Sequence, residues 1–404
     1  MDNQVCCGRV TTDGVPDQLA HKVASLAELP EDLIFEILLF SPVKAILCFR
    51  CLSKSFCRII DSEEFINMHY SRSAENKKHR KLIIRERAIG RWSNRSVNVF
   101  DVDSGLEETI NKPYKRNPKP YGYCNGLILL FVDSFRLALW NPSTQKYRNL
   151  PRCPIKVPNG GHCTTVGMGL GYDSTRGDYK VVLIEDVQTV SNTHVLQSWV
   201  FGLRSNSWKR VQDFPERKDG FIYFGHFANG YLHWLCKYRI GEYALVTFDM
   251  AKETIVSQSL YPAFSRLLQI DLHVIDGCLC LSCVSWNPAE AVFYVREKDG
   301  TKLKWSTLFS VTTEMPILFD MNRFKDVRVL GYSNDGDKVM LDLGFKFIVL
   351  YDVKQKFFSS TESRKLDDDR NKVCNYPFLC HESLVSLGGG VSQRKSGQKR
   401  KKRT

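Results

Sequence analysis

The feature that most constrains this chain is a recurring local pattern in which an aromatic strand end is followed at once by a turn. It occurs at Phe100-Asp101, Trp140-Asn141-Pro142, Phe201-Gly202, Phe248-Asp249, Tyr294-Val295 and Tyr351-Asp352. The mean spacing is about 50 residues, close to the repeat length of a propeller blade. Two other signals sit between these ends. Asn/Asp-Gly precedes an apolar run at Asn125-Gly126-Leu127, Asn229-Gly230-Tyr231 and Asp276-Gly277-Cys278, and Gly-Tyr precedes a polar turn at Gly171-Tyr172-Asp173 and Gly331-Tyr332-Ser333. Short apolar runs bounded by Gly, Asn, Asp and Pro read as strands joined by hairpins. The intervals are irregular, so the expected fold is a degenerate β-propeller over residues 71–365, with a twisted β-sandwich as the competing architecture.

Residues 26–70 follow another period. Leu33, Ile34, Ile37 and Leu38 recur at helical spacing behind Pro30, Glu31 and Asp32, the residue types that favour a first helical turn. Ser41-Pro42 predicts the cap and first residue of a second helix carrying Val43, Ile46 and Leu47, and Ser53 caps a third carrying Phe56, Ile59 and Ile60. Three short helices have more apolar side chains than so small a core can hide. Some of them should face a partner. Residues 1–25 are predicted to be a disordered lead-in, and 366–404 an irregular tail.

With 404 residues, 43% hydrophobic and 12% aromatic, the chain can bury a large core. Its start has no basic segment followed by an apolar one, and no apolar run reaches the roughly 18 residues of a membrane span. The expectation is a soluble, unsecreted protein with no membrane partner, its 14 cysteines held as reduced thiols. The net charge of +13 is concentrated at the end, where Arg394, Lys395, Lys399, Arg400, Lys401, Lys402 and Arg403 meet no acid. Lys399, Arg400, Lys401, Lys402 and Arg403 read as a nuclear-import signal that an import receptor would recognise, which implies the nucleus, the cytoplasm or both. Residues 72–95 are also basic. They surround the strand Leu82-Ile83-Ile84, where lysines block edge aggregation, so nucleic acid is not the expected partner.

Catalytic motifs are not found. Gly167-Met168-Gly169-Leu170-Gly171 runs on into Tyr172-Asp173 and another strand, not into a phosphate-binding helix, and its glycines are read as turn residues. Cys280 and Cys283 would point to opposite faces of a strand. Cys48 and Cys51 lie one helical turn apart on a plausible packing face, and Cys374, Cys380 and His381 fall in an expected loop. No metal and no cofactor is expected, and the chain is read as a non-enzyme.

Leu29-Pro30-Glu31-Asp32-Leu33, Ile37-Leu38, Pro42-Val43-Lys44, Leu47, Phe49-Arg50-Cys51, Lys54-Ser55 and Phe65 together resemble the F-box. Downstream, Cys124-Asn125-Gly126-Leu127, Trp140-Asn141-Pro142-Ser143-Thr144, Leu150-Pro151, Gly169-Leu170-Gly171-Tyr172-Asp173, Asp178-Tyr179-Lys180-Val181-Val182 and Ser207-Trp208 resemble the plant F-box-associated domain of F-box/kelch-like and S-locus F-box-like proteins. Ser41, Ser53 and Phe56 depart from the F-box pattern, and the blades lack the diglycine of true kelch repeats, so the propeller is kelch-like. The resemblance implies the substrate-recognition subunit of an SCF-type ubiquitin ligase. Leu29, Pro30, Leu33, Ile34, Pro42, Val43 and Ile46 would dock on a Skp-type adaptor and through it on cullin. The propeller would hold a protein target through loops such as 154–166, 185–197 and 261–268, with 154–166 foremost. The body's mild positive charge favours an acidic or neutral target. The alternative is a propeller-type protein-interaction module with a nuclear basic tail, independent of ubiquitin.

Overall fold

In a computed structural model, residues 30–388 are described, with interruptions of which the longest are 89–95, 216–223, 261–268, 297–303, 313–326 and 366–371. The readings made for residues 1–25, for Leu29, for the loop 261–268 and for the basic residues Lys399–Arg403 lie outside the described residues.

Four helices come first: α1 (Glu31–Leu39), α2 (Val43–Phe49), α3 (Lys54–Ile60) and α4 (Glu63–Glu75). Pro30 and Pro42 stand at the caps of α1 and α2, with extended ψ values of 143° and 150° that lead the chain into each helix. Ser53 and Ser62 cap α3 and α4 by accepting from the backbone N–H of Phe56 and Phe65. Ser41 does not cap α2. Its hydroxyl donates back to Ile37 O at 2.9 Å, on the last turn of α1. The fourth helix is a correction to the three expected, and it runs past residue 70, the expected end of the helical unit. Its inward face includes His69 and Ser73, both buried, so its apolar period is broken. Ile34, Leu38, Leu39, Val43, Ile46, Phe56, Ile60 and Phe65 form the core of the helical unit.

The rest is a propeller. Among the described residues there are six antiparallel blades with four strands in line, each ordered from its innermost strand outward; in the sixth, the short strand Arg364–Lys365 also pairs with the third. Blade 1 comprises Lys372–His381, Arg80–Ala88, Ser96–Asp101 and Glu107–Asn111. Blade 2 comprises Lys119–Cys124, Leu127–Asp133, Arg136–Asn141 and Lys146–Asn149; blade 3, His162–Asp173, Asp178–Gln188, His194–Gly202 and Ser207–Arg210. Blade 4 comprises Phe224–Ala228, Tyr231–Arg239, Glu242–Asp249 and Ile255–Ser259; blade 5, Gln269–Ile275, Cys278–Trp286, Ala289–Arg296 and Trp305–Thr312. Blade 6 comprises Val327–Tyr332, Lys338–Leu343, Phe347–Asp352 and Phe357–Phe358.

Each of the six aromatic ends lies on the third strand of a different blade. The following turn is often closed by its own side chain. Asn141, Asp249 and Asp352 each accept two backbone N–H groups through Oδ1, which folds the chain back into the outermost strand. The Asn/Asp-Gly pairs join first and second strands of blades 2, 4 and 5. Both residues of each pair have positive φ, as at Asn125 (48°) and Gly126 (81°), which is the type I′ turn that suits a twisted hairpin. The glycines of 167–171 are not turn residues. They lie in the innermost strand of blade 3, where Gly169 pairs in parallel with Gly225 of blade 4. A Cβ added at Gly225 would lie 3.0 Å from Gly169 Cα, so this join between blades excludes side chains.

Lys372–His381 pairs with Arg80–Ala88, so the last strand of the chain supplies the innermost strand of its first blade and closes the ring. This corrects the reading of 366–404 as irregular. A closing strand is followed by no hairpin, so it carries none of the repeat signals, and the pairing shifts register around Pro377. Fully buried Arg80 ties the closure to blade 6, donating to Tyr332 O at 2.6 Å and to Asn334 Oδ1.

Beyond the closing strand, residues 382–387 form a strap between the two parts of the molecule. Leu384 enters the helical core, whereas Val385 and Leu387 pack with blades 2 and 3. Asn141 Nδ2 donates to Ser383 O and Val385 O, both at 3.0 Å, and Arg148 donates to Leu387 O at 2.6 Å. Buried Glu382 accepts from Val43 N–H at 2.9 Å at the start of α2 and lies 3.3 Å from Lys81 of blade 1.

Candidate functional site

Two surfaces stand out, one on the helices and one inside the ring. On the helical unit, Leu33, Ile37 and Phe40 are 52%, 43% and 57% exposed, and Leu52 and Met68 are also largely exposed. Leu33 and Ile37 sit one turn apart on α1, and Phe40 follows at its C-cap under the Arg72 guanidinium, 4.4 Å from the ring centroid. Pro30 and Pro42 are exposed at the starts of α1 and α2. Of the residues expected to face an adaptor, Pro30, Leu33 and Pro42 are therefore outward. Ile34, Val43 and Ile46 are 7%, 1% and 0% exposed and belong to the core, which removes them from that face. Ile37 and Phe40 are exposed beside Leu33; both are apolar in the sequence, but period alone does not say which side of α1 faces in.

The second surface is the central channel, a cavity of about 990 Å³ lined by the innermost strands of blades 1, 2, 4, 5 and 6. Helix α4 lies across one end. Its Tyr70 ring packs edge-on against His381 at 6.1 Å, and Lys77 just beyond it pairs with Asp276 at 2.9 Å and lies 4.8 Å from the Tyr332 ring centroid. Asp276 belongs to the turn that follows one innermost strand and Tyr332 is the last residue of another, so the helices sit where those strands end. At the opposite end, where the strands begin, Tyr121 stacks on Phe224 at 5.0 Å and meets Phe131 edge-on at 5.6 Å.

Between the ends the wall turns polar. His226 lies on blade 4, Gln269, Asp271 and His273 on blade 5, and Arg328 on blade 6. His273 Nε2 is 2.7 Å from Ser282 Oγ, and Gln269 donates to Asp271 Oδ2 at 2.9 Å. Behind them, His233 Nδ1 is 3.0 Å from Thr247 Oγ1. Burial pushes all three imidazoles down to about 3, helped by Arg328 at His226 and His273 and by Arg296 at His233. They are neutral at neutral pH. Gln269, Asp271 and His273 alternate with Ile270, Leu272 and Val274, but a strand facing a channel has the same period as one facing solvent.

The other sequence candidates fall away from chemistry. Cys280 and Cys283 enter separate clusters on opposite faces of blade 5, and burial raises both thiols to about 12. Cys48 and Cys51 are exposed rather than on a packing face, and Cys374, Cys380 and His381 are on the closing strand rather than a loop. Among the described residues no group of three His, Cys, Asp or Glu is placed to hold a metal, and no helix is long and apolar enough to cross a membrane. Among the described side chains of the basic stretch from residue 72, Arg72 pairs with Glu36, Lys77 with Asp276, and Lys81 with Asp101. Residues 185–188 and 194–197, expected as loop, are the facing ends of two strands in blade 3. Residues 154–161 are irregular, and 162–166 begin the innermost strand of the same blade.

Comparison with known families decides what this pairing of helices and ring is. Residues 91–387 match the F-box associated beta propeller domain, and residues 26–67 match the F-box domain. The chain belongs to the F-box-associated β-propeller family. F-box protein CPR1 of Arabidopsis thaliana is 30% identical over 90% of this chain and 89% of its own length. F-box protein At4g22390 of the same plant is 29% identical over 79% and 81%. Among solved structures, TolB from Acinetobacter baumannii aligns with a TM-score of 0.44 at 11% identity, covering 74% of this chain and 66% of that one, a likeness too slight to bear on function. An F-box joined to an F-box-associated propeller is the architecture of an SCF-type substrate receptor, a recognition role rather than a catalytic one.

Proposed function

We propose that the F-box of this chain docks on a Skp-type adaptor through Pro30, Leu33, Ile37, Phe40 and Pro42, and through that adaptor on cullin. The observation that carries this reading is the run of exposed apolar side chains along α1, on a unit whose interior is already filled. Burying a Leu, Ile or Phe side chain contributes about 1.5–3 kcal/mol, so this face can offset the entropy of association. The propeller then presents a protein target at the channel end opposite α4, and ubiquitin transfer proceeds by proximity, with no nucleophile supplied by this chain. Pull-down with a Skp-type adaptor tests the docking: wild type is retained, and Leu33→Asp with Ile37→Asp is lost. Failure of the wild type to bind would leave a propeller interaction module independent of ubiquitin.

The basic run Lys399–Arg403 would add nuclear entry through an import receptor to a cytoplasmic pool. Deleting residues 394–404 from a fluorescent fusion is expected to lower the nuclear signal, and an unchanged distribution refutes the import role.

A further inference from the structure

The polar wall of the channel has one group out of balance. Asp271 is bonded by Gln269, and His273 by Ser282, but the His226 imidazole makes no hydrogen bond among the described residues. It faces the cavity from blade 4, close enough to His273, Asp271 and Arg328 to feel all three electrostatically. The ring is half-buried and its nitrogens reach the cavity, so an acceptor or donor that enters the channel can bond to it without displacing a protein partner. Arg328 adds a guanidinium to the same wall, and its influence on His226 outweighs that of Asp271. Leu272 and Leu330 flank the cluster, and Tyr121 and Phe224 stand at the open end; the remaining charged lining residues include Lys77, which is paired with Asp276, and Lys237, which lies over the Tyr243 ring.

We propose that the channel is a binding site for a carboxylate with an apolar body, its oxygens taken by Arg328 and by the N–H of His226. A guanidinium matches the planar, singly charged carboxylate in a two-point contact. A phosphate dianion fits less well, because at this cluster Arg328 stands beside Asp271 and two neutral imidazoles, while Lys77 is already paired with Asp276 and Lys237 lies over the Tyr243 ring. The cavity of about 990 Å³ is at the upper end of the range that encloses drug-sized ligands, so there is room for an apolar body beside the aromatic pair. The carboxylate belongs either to a free organic acid or to an acidic residue on a target segment that enters the open end. Only the second source rests on the receptor reading above.

The full chain is titrated calorimetrically with benzoate, with benzyl alcohol as the neutral control, and with the capped peptide acetyl-Phe-Glu-Phe-amide. Benzoate is expected to bind saturably and benzyl alcohol not, and His226→Phe and Arg328→Met are each expected to weaken benzoate by about tenfold or more. In the wild type, the His226 ring resonances should shift with benzoate, which covers the case in which Arg328→Met fails to fold. Peptide binding that benzoate displaces points to a target segment; benzoate binding alone points to a free acid. No saturation by either probe at about 10 mM, or equal binding by both variants, overturns the site. Adaptor pull-down of the same variants should match wild type, so failure of the channel site is distinct from failure of the F-box reading.

Discussion

The helical unit and the propeller differ in how far each completes itself. The F-box has a filled interior, yet it leaves Leu33, Ile37 and Phe40 in the open and takes Leu384 from the other end of the chain to finish its core. The propeller turns its strands against one another in sequence, closes its own ring, and keeps its unusual chemistry in polar groups that line the channel. A small unit with surplus apolar surface is built to be covered by something else. A ring that encloses neutral histidines and an arginine is built to admit something. The strap at residues 382–387 fixes the two relative to each other, so that α4 lies over one channel end and the other end stays available.

The largest test of that division removes the strap. Truncation after His381 should expose the F-box helices to proteolysis and abolish adaptor binding, whereas truncation after Gly388 should do neither. Protected helices in the shorter chain would mean that the F-box is self-sufficient. The single change Leu384→Ala should cost about 2–5 kcal/mol in the F-box transition.

Lys180→Met tests how strongly the propeller depends on its buried ions. Lys180 bonds Asp173 at 2.6 Å, Met250 O at 2.6 Å and Glu253 at 2.9 Å, joining blade 3 to blade 4. Without it buried Asp173 keeps only the mostly exposed Arg176 guanidinium at 3.2 Å as a counter-ion, for a loss of about 3 kcal/mol by urea unfolding. Burial alone would raise Asp173, but Lys180, Thr175 and the Arg176 N–H together pull it below the usual carboxylate range. Its contribution is therefore present above about pH 4 and lost as pH falls below that.

The histidines behave differently. His226, His233 and His273 titrate near 3 in the folded chain, below their unfolded value of about 6.5, so the unfolded state binds more protons between those limits. Stability is full above about pH 6.5 and falls as pH drops, by about 1 kcal/mol per histidine per pH unit. Urea midpoints measured between pH 7 and 5 should show the slope, and His273→Gln should flatten it by about a third. An unchanged slope would mean that the channel is wetter than its geometry implies.

The smallest effect is expected at the surface. Arg204 of blade 3 and Glu63 of α4 form an exposed pair at 2.7 Å, and Arg204→Ala should change stability by less than about 1 kcal/mol. A larger loss would show that the F-box is held by surface charge as well as by the strap.

What the sequence by itself determined about this protein is local. Aromatic third-strand ends, Asn-Gly and Asp-Gly turns, and serines ahead of helices act within a few residues of themselves, so the propeller-like repeat and most of the F-box are legible in the order of the side chains, whereas the number of blades is not. Tertiary structure alone decided the rest, because it depends on segments that meet across the chain. Ile46 and Leu33 are equally apolar, and only the packing of α1 and α2 over Phe65 and Leu384 turns one in and leaves the other out. The closing strand pairs residues about 300 positions apart without any repeat signal of its own. His226, His273 and Arg328 come from three blades and become a site only when the ring closes around them.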